Sequence, residues 1–64
     1  MTYTVKIRNP IINQEVMRID TDNEALAFAE AESLSKRHGI ASVYDSANVE
    51  LARFRYGIAE FVQA

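Results

Sequence analysis

Between Thr21 and Gly39 lies the one stretch of this 64-residue chain with both a start and a stop signal for a helix, the element that the rest must fold around. Thr21-Asp22-Asn23-Glu24 has the form of a capping box, with Thr21 as the expected N-cap and Glu24 three residues on. The following Ala-Leu-Ala-Phe-Ala-Glu-Ala-Glu is dense in good helix formers. Asp22 and Glu24 suit the positive end of the macrodipole, and Lys36, Arg37 and His38 suit the negative end before Gly39, the expected C′ residue. At 100° per residue, Ala27, Phe28, Ala31, Leu34 and His38 form one stripe, opposite Ala25, Glu32 and Lys36. Small alanines in that stripe allow the helix to lie close on a sheet.

Strand signals flank it. Residues 2–8 alternate, Tyr3, Val5 and Ile7 on one face and Thr4, Lys6 and Arg8 on the other, the period of a half-buried strand. Asn9-Pro10 ends that pattern and opens a loop to Gln14 that holds two apolar residues, Ile11 and Ile12. A second strand is expected over Glu15 to Asp20, with Met17 and Ile19 inward and Val16 and Arg18 outward, pairing antiparallel with the first. Ile40 to Asp45 is β-rich and reads as a third strand.

Two readings stay open for the remainder. In one, Asp45-Ser46-Ala47-Asn48 is a turn with Asn48 left-handed, followed by a fourth strand from Val49 to Tyr56. Gly57 then ends that strand, and Ile58 to Val62 forms a helical turn or an edge segment. The apolar phase of the fourth strand is imperfect, with Val49 and Leu51 on one face and Phe54 and Tyr56 on the other, which calls for a bulge or a two-sided strand. In the other reading a helix starts near Ala47 and aligns Leu51, Phe54, Ile58, Phe61 and Val62, with Gly57 as a cost in its interior. The turn chemistry and the β-rich Arg-Phe-Arg-Tyr favour the strand. The expected fold is therefore one α+β domain over residues 1–64, an antiparallel sheet of two hairpins with a helix on one face (ββαββ), the alternative being ββαβα with a C-terminal helix.

Composition narrows the chemistry. With no cysteine and a single histidine, neither a disulfide nor a structural zinc cluster can form within one chain. Asp20-x-Asp22-x-Glu24 opens like a calcium loop, but Ala25 and Ala31 stand where such a loop needs glycine and glutamate, so no metal site is expected. His38 has no cysteine to pair with and sits where a dipole partner belongs, and two glycines exclude a glycine-rich phosphate loop. A catalytic site and a cofactor are not expected. No apolar run is long enough for a membrane helix, and the N-terminus lacks the apolar core of a signal peptide, so a cytoplasmic protein is expected.

The net charge is −2, but it is unevenly placed. Acids crowd the start of the helix, whereas Lys6, Arg8, Arg18, Arg53 and Arg55 fall on expected strands and, with Tyr56, make a candidate binding face. Basic groups interleaved with aromatics can hold phosphates and stack bases, which offers a nucleic-acid-associated reading. Surplus apolar residues, Ile11, Ile12, Tyr44, Leu51 and Phe54, point instead to self-association, since one helix covers one sheet face only. The leading expectation is a small non-enzymatic protein-binding or regulatory module, a homodimer. The layout of two short strands, an alanine-rich helix ending in Gly39, and the hairpin at 43–57 resembles small bacterial β-β-α-β-β domains of unknown function. That resemblance implies the fold and no activity.

Overall fold

The computed structural model describes residues 1–63. The elements run β1 (Tyr3–Asn9), β2 (Gln14–Thr21), α1 (Glu24–His38), β3 (Ile40–Tyr44), β4 (Glu50–Arg55) and β5 (Ile58–Val62). All strand pairs are antiparallel and the sheet order is β2-β1-β3-β4-β5. This is the expected ββαββ layout, extended by a fifth strand where the sequence left an edge segment or a helix.

Two rows of inward side chains meet the helix. One runs Ile19, Val5, Val43, Ala52, Val62 and the other Met17, Ile7, Ala41, Phe54, Ala59, as the strand register dictates. The central members of both rows are buried against Ala27 and Ala31, with Tyr3, Ile19, Phe28, Leu34 and Leu51 packed around them. Neither alanine exposes any surface, so their small size sets how closely α1 approaches. The third buried helix residue is Ser35, four positions after Ala31, while Phe28 and Leu34 flank the stripe.

The helix starts later than the capping box suggests. Thr21 stays in β2, paired with Tyr3, and its hydroxyl accepts a hydrogen bond from the Asn23 backbone N–H at 3.2 Å. Asn23 is the N-cap, its side-chain oxygen accepting from the Leu26 N–H at 3.0 Å. Ladder pairing with Tyr3 outweighs a cap that Asn23 can supply equally well. The Tyr3 hydroxyl then donates to the Glu24 carboxylate at 3.0 Å, which ties the first turn to β1 and raises the Tyr3 pKa.

Asp45 builds the turn into β4. Its carboxylate accepts from the Ala47 N–H at 2.9 Å and the Val49 N–H at 3.0 Å, and Asn48 is left-handed (φ 64°), as its residue type suggested. The phase of β4 then shifts by a bulge, because Val43 pairs with Ala52 while Tyr44 pairs with Glu50. Leu51 is the extra residue. This shift is the bulge that the apolar phase called for, in place of a two-sided strand: Phe54 turns toward the helix and is only 7% exposed, on the same side as Val43 and opposite Tyr44. Val49 and Tyr56 fall in turns and are exposed.

Tyr56 and Gly57 make the two-residue link to β5, both with positive φ (52° and 85°), the pattern of a type I′ hairpin turn. Tyrosine in place of asparagine hides this signal in the sequence. The turn is fastened to the helix end: the Gly57 N–H donates to the Ser35 hydroxyl at 2.9 Å, that hydroxyl donates to the Glu32 carbonyl at 2.8 Å, and the Tyr56 N–H donates to the Gly39 carbonyl at 2.8 Å. Gly39 (φ 123°) has no room for a side chain, since a Cβ there would run into the Pro10 ring.

Two substitutions test this fastening. Ser35→Ala leaves the Gly57 N–H without its partner and is expected to lower stability by about 1–3 kcal/mol; Gly39→Ala, which combines backbone strain with the Pro10 overlap, by more than about 2 kcal/mol. Urea unfolding at equilibrium measures both, and a wild-type midpoint for Ser35→Ala would contradict the role given to its hydroxyl.

Candidate functional site

Two surfaces remain after the helix has packed: the sheet face away from it and the outer edge at β5. On the face, the register sets three rows across the strands. The first reads Arg18, Lys6, Ser42, Arg53, Phe61; the second Glu15, Arg8, Ile40, Arg55, Ile58; the third Asp20, Thr4, Tyr44, Glu50. All five bases of the expected binding face therefore share one side of the sheet. Tyr56, in the turn beyond Arg55, is exposed but outside these rows.

The bases do not stand alone. Arg53 grips Glu50 through two hydrogen bonds, Nη2 to Oε1 at 2.6 Å and Nε to Oε2 at 3.1 Å, and its guanidinium lies 5.4 Å from the centre of the Phe61 ring. Arg55 approaches Glu60 at 3.5 Å, and Arg18 approaches Asp20 at 3.7 Å. Lys6 Nζ sits 4.9 Å over the Tyr44 ring. Among the described residues, neither Lys6 nor Arg8 has a carboxylate within ion-pair distance. Five cations thus share the face with the carboxylates of Glu15, Asp20, Glu50 and Glu60, and the net field is far weaker than the cluster of bases in the sequence suggests.

At the middle of the face is an open concavity of about 350 Å³, lined by Lys6, Arg8, Glu15, Ile40, Ser42, Tyr44, Glu50, Arg53 and Arg55. It exists because short Ser42 and buried Ile40 (5% exposed) form its floor while long side chains rise on either side. Ile40 pairs with Arg8 on one side and Arg55 on the other, and the apolar stems of such residues can shield it from water. Sequence reading placed Ile40 at the start of the third strand and missed the depression, since a floor is defined by neighbours from three strands.

The residues expected to drive self-association separate in space. Phe54 is in the core and Leu51 packs on its margin, so neither offers a free side chain. Tyr44 lies on the sheet face, beneath Lys6. Ile11 and Ile12 protrude from the loop between β1 and β2, Ile11 at 85% exposure. The largest unpartnered apolar edge is one the sequence did not single out: every residue of β5 is exposed, including Ile58, Phe61 and Val62. The two sheet edges also differ. The outer strand β2 carries Glu15, Arg18 and Asp20, whereas β5 carries Glu60 alone, and Glu60 is turned toward Arg55 on its own sheet.

Among the described residues no group of three or more His, Asp or Glu is placed to hold a metal ion, and no helix is long and apolar enough to cross a membrane. Comparison with protein-family models, with curated proteins and with solved structures finds no match.

The Arg53 hydrogen bonds hold the Glu50 carboxyl below the ordinary glutamate range, and Ser42 acts in the same direction, while partial burial opposes both. A carboxyl whose pKa is lowered by folding contributes stability above its unfolded pKa and loses it as pH falls through the lowered value. The stability difference between the wild type and Glu50→Gln is therefore expected to be largest near neutral pH and to shrink on acidification. Thermal unfolding at several pH values measures it; a difference independent of pH would contradict the ion pair's contribution.

Proposed function

We propose that this domain is a non-enzymatic protein-binding module that associates through the outer edge of β5, with a second copy of the chain as its partner. The observation that carries the reading is the character of that edge: an unpaired row of backbone donors and acceptors, flanked by exposed Ile58, Phe61 and Val62 and lacking the charges that guard β2. Such edges bind other strands by adding them to the sheet. Identical chains meet most readily about a twofold axis. Turned about one, β5 lies antiparallel to its own copy and the two sheets become one.

Self-pairing would satisfy the backbone groups along the outer edge of β5. The helix rests chiefly on β1 and β3, then on β4 and β2, and Val62 at the far end of its row stays exposed. The cysteine-free composition fits a cytoplasmic setting for such an assembly.

The nucleic-acid reading loses support from the acids Glu15, Asp20, Glu50 and Glu60 that share the face with the five bases, because an extended phosphate backbone would have to pass over them. Sedimentation velocity across the micromolar range tests the proposal. A species near twice 7.2 kDa is expected for the wild type, and Phe61→Lys, which places a charge on the edge, is expected to shift it to monomer with the fold intact by circular dichroism. A wild-type monomer at every concentration would overturn self-association.

A further inference from the structure

We infer that the concavity on the open sheet face is a binding site for a small multivalent anion of the di- or triphosphate class. Four cations stand around it. Lys6 and Arg53 flank Ser42 in one row, and Arg8 and Arg55 flank Ile40 in the next. With strands about 4.8 Å apart and alternate residues about 7 Å apart, the four Cα atoms mark a rectangle of roughly 10 by 7 Å. The floor between them is a hydroxyl and an apolar side chain, and the carboxylates of Glu15 and Glu50 stand in the walls. The volume, about 350 Å³, is at the lower end of the range in which small ligands are held.

The arrangement runs against the local rules of sheet stability. Lys6 faces Arg18 directly across the β1–β2 pair, and like charges in directly opposed positions destabilise a sheet. Lys6 and Arg8, successive outward residues of β1, have no ion-pair partner among the described residues. Departures of this kind from local consistency tend to occur where a ligand supplies what the fold lacks. An anion seated over Ser42 would relieve the repulsion, accept from the two unpaired bases, and share Arg53 with Glu50 and Arg55 with Glu60. Guanidinium forks suit phosphoryl oxygens because they can donate two parallel hydrogen bonds.

The carboxylates decide between a small anion and a polymer. Glu15 and Glu50 line the concavity beside the cations, with Glu50 held by Arg53, while Asp20 lies beyond Lys6 in the neighbouring row and Glu60 next to Arg55. A nucleic-acid strand crossing the sheet would carry its phosphates over this fence of acids. A compact di- or triphosphate would meet only Glu15 and Glu50.

Isotope-edited NMR titration of the intact chain at low salt with inorganic pyrophosphate, and in a separate arm with a short single-stranded oligonucleotide, tests the inference. Saturable shifts are expected with pyrophosphate at the amides of Lys6, Arg8, Ser42, Arg53 and Arg55. The double variant Lys6→Gln with Arg8→Gln is expected to keep the wild-type fold, judged by its unperturbed core resonances, and to bind about tenfold or more weakly. Absence of saturable shifts to millimolar pyrophosphate, unchanged affinity in the double variant, or binding of the oligonucleotide alone would each overturn it. Because the readout lies on β1, β3 and β4, it is independent of whether β5 self-associates.

Discussion

One fifteen-residue helix has to cover a five-stranded sheet, and it is too narrow to do so. At about 1.5 Å per residue the helix is roughly 22 Å long, and with side chains it is about 10–12 Å across. Five strands about 4.8 Å apart span roughly 19 Å between the outer backbones. A single helix can therefore seal the middle of the sheet and leave its flanks open. The burial follows this rule: Val5, Ile7, Ala41, Val43, Ala52 and Phe54 on the three central strands are buried, while Met17 on β2 and Val62 on β5 are exposed.

The limited cover places weight on how closely the helix and the central strands fit. Ala27 and Ala31 bring the helix axis near the sheet, and Ser35 continues the same stripe with a hydroxyl that engages the β4–β5 turn. The hydroxyl also meets the Glu32 carbonyl, so a polar atom enters the buried stripe with its hydrogen bonds satisfied. Through Ser35 and Gly39 the end of the helix positions Tyr56 and Gly57, and through them the start of β5. The strand that the helix cannot cover is held by its hairpin partner and by the helix terminus.

Local patterns in the sequence carried much of this fold. The alternation of Tyr3, Val5 and Ile7, the alanine-rich stripe, the Gly39 stop and the left-handed Asn48 each rest on neighbours in the chain, and each appears in the structure. Non-local competition accounts for the departures. Thr21 could not cap the helix because Tyr3 holds it in β2, and the choice between a bulge and a two-sided strand in β4 rested on the pairing of Tyr44 with Glu50. Tyr56-Gly57 concealed a type I′ turn, and with it β5, because the left-handed tyrosine is stabilised by the Gly39 carbonyl and not by its own propensity. The five bases were legible as one face from strand parity alone; their carboxylate partners and the floor of Ser42 and Ile40 required the register of four strand pairs.

Amide hydrogen exchange in the native state, compared at low and high protein concentration, addresses the central claim that the helix protects the middle strands and a partner completes the β5 edge. Amides of β1, β3 and β4 should exchange only through global unfolding at both concentrations. The outward-facing amides of β5 should exchange quickly when dilute and gain protection when concentrated, with those of β2 unchanged. Equal, concentration-independent exchange at β5 and β2 would contradict it.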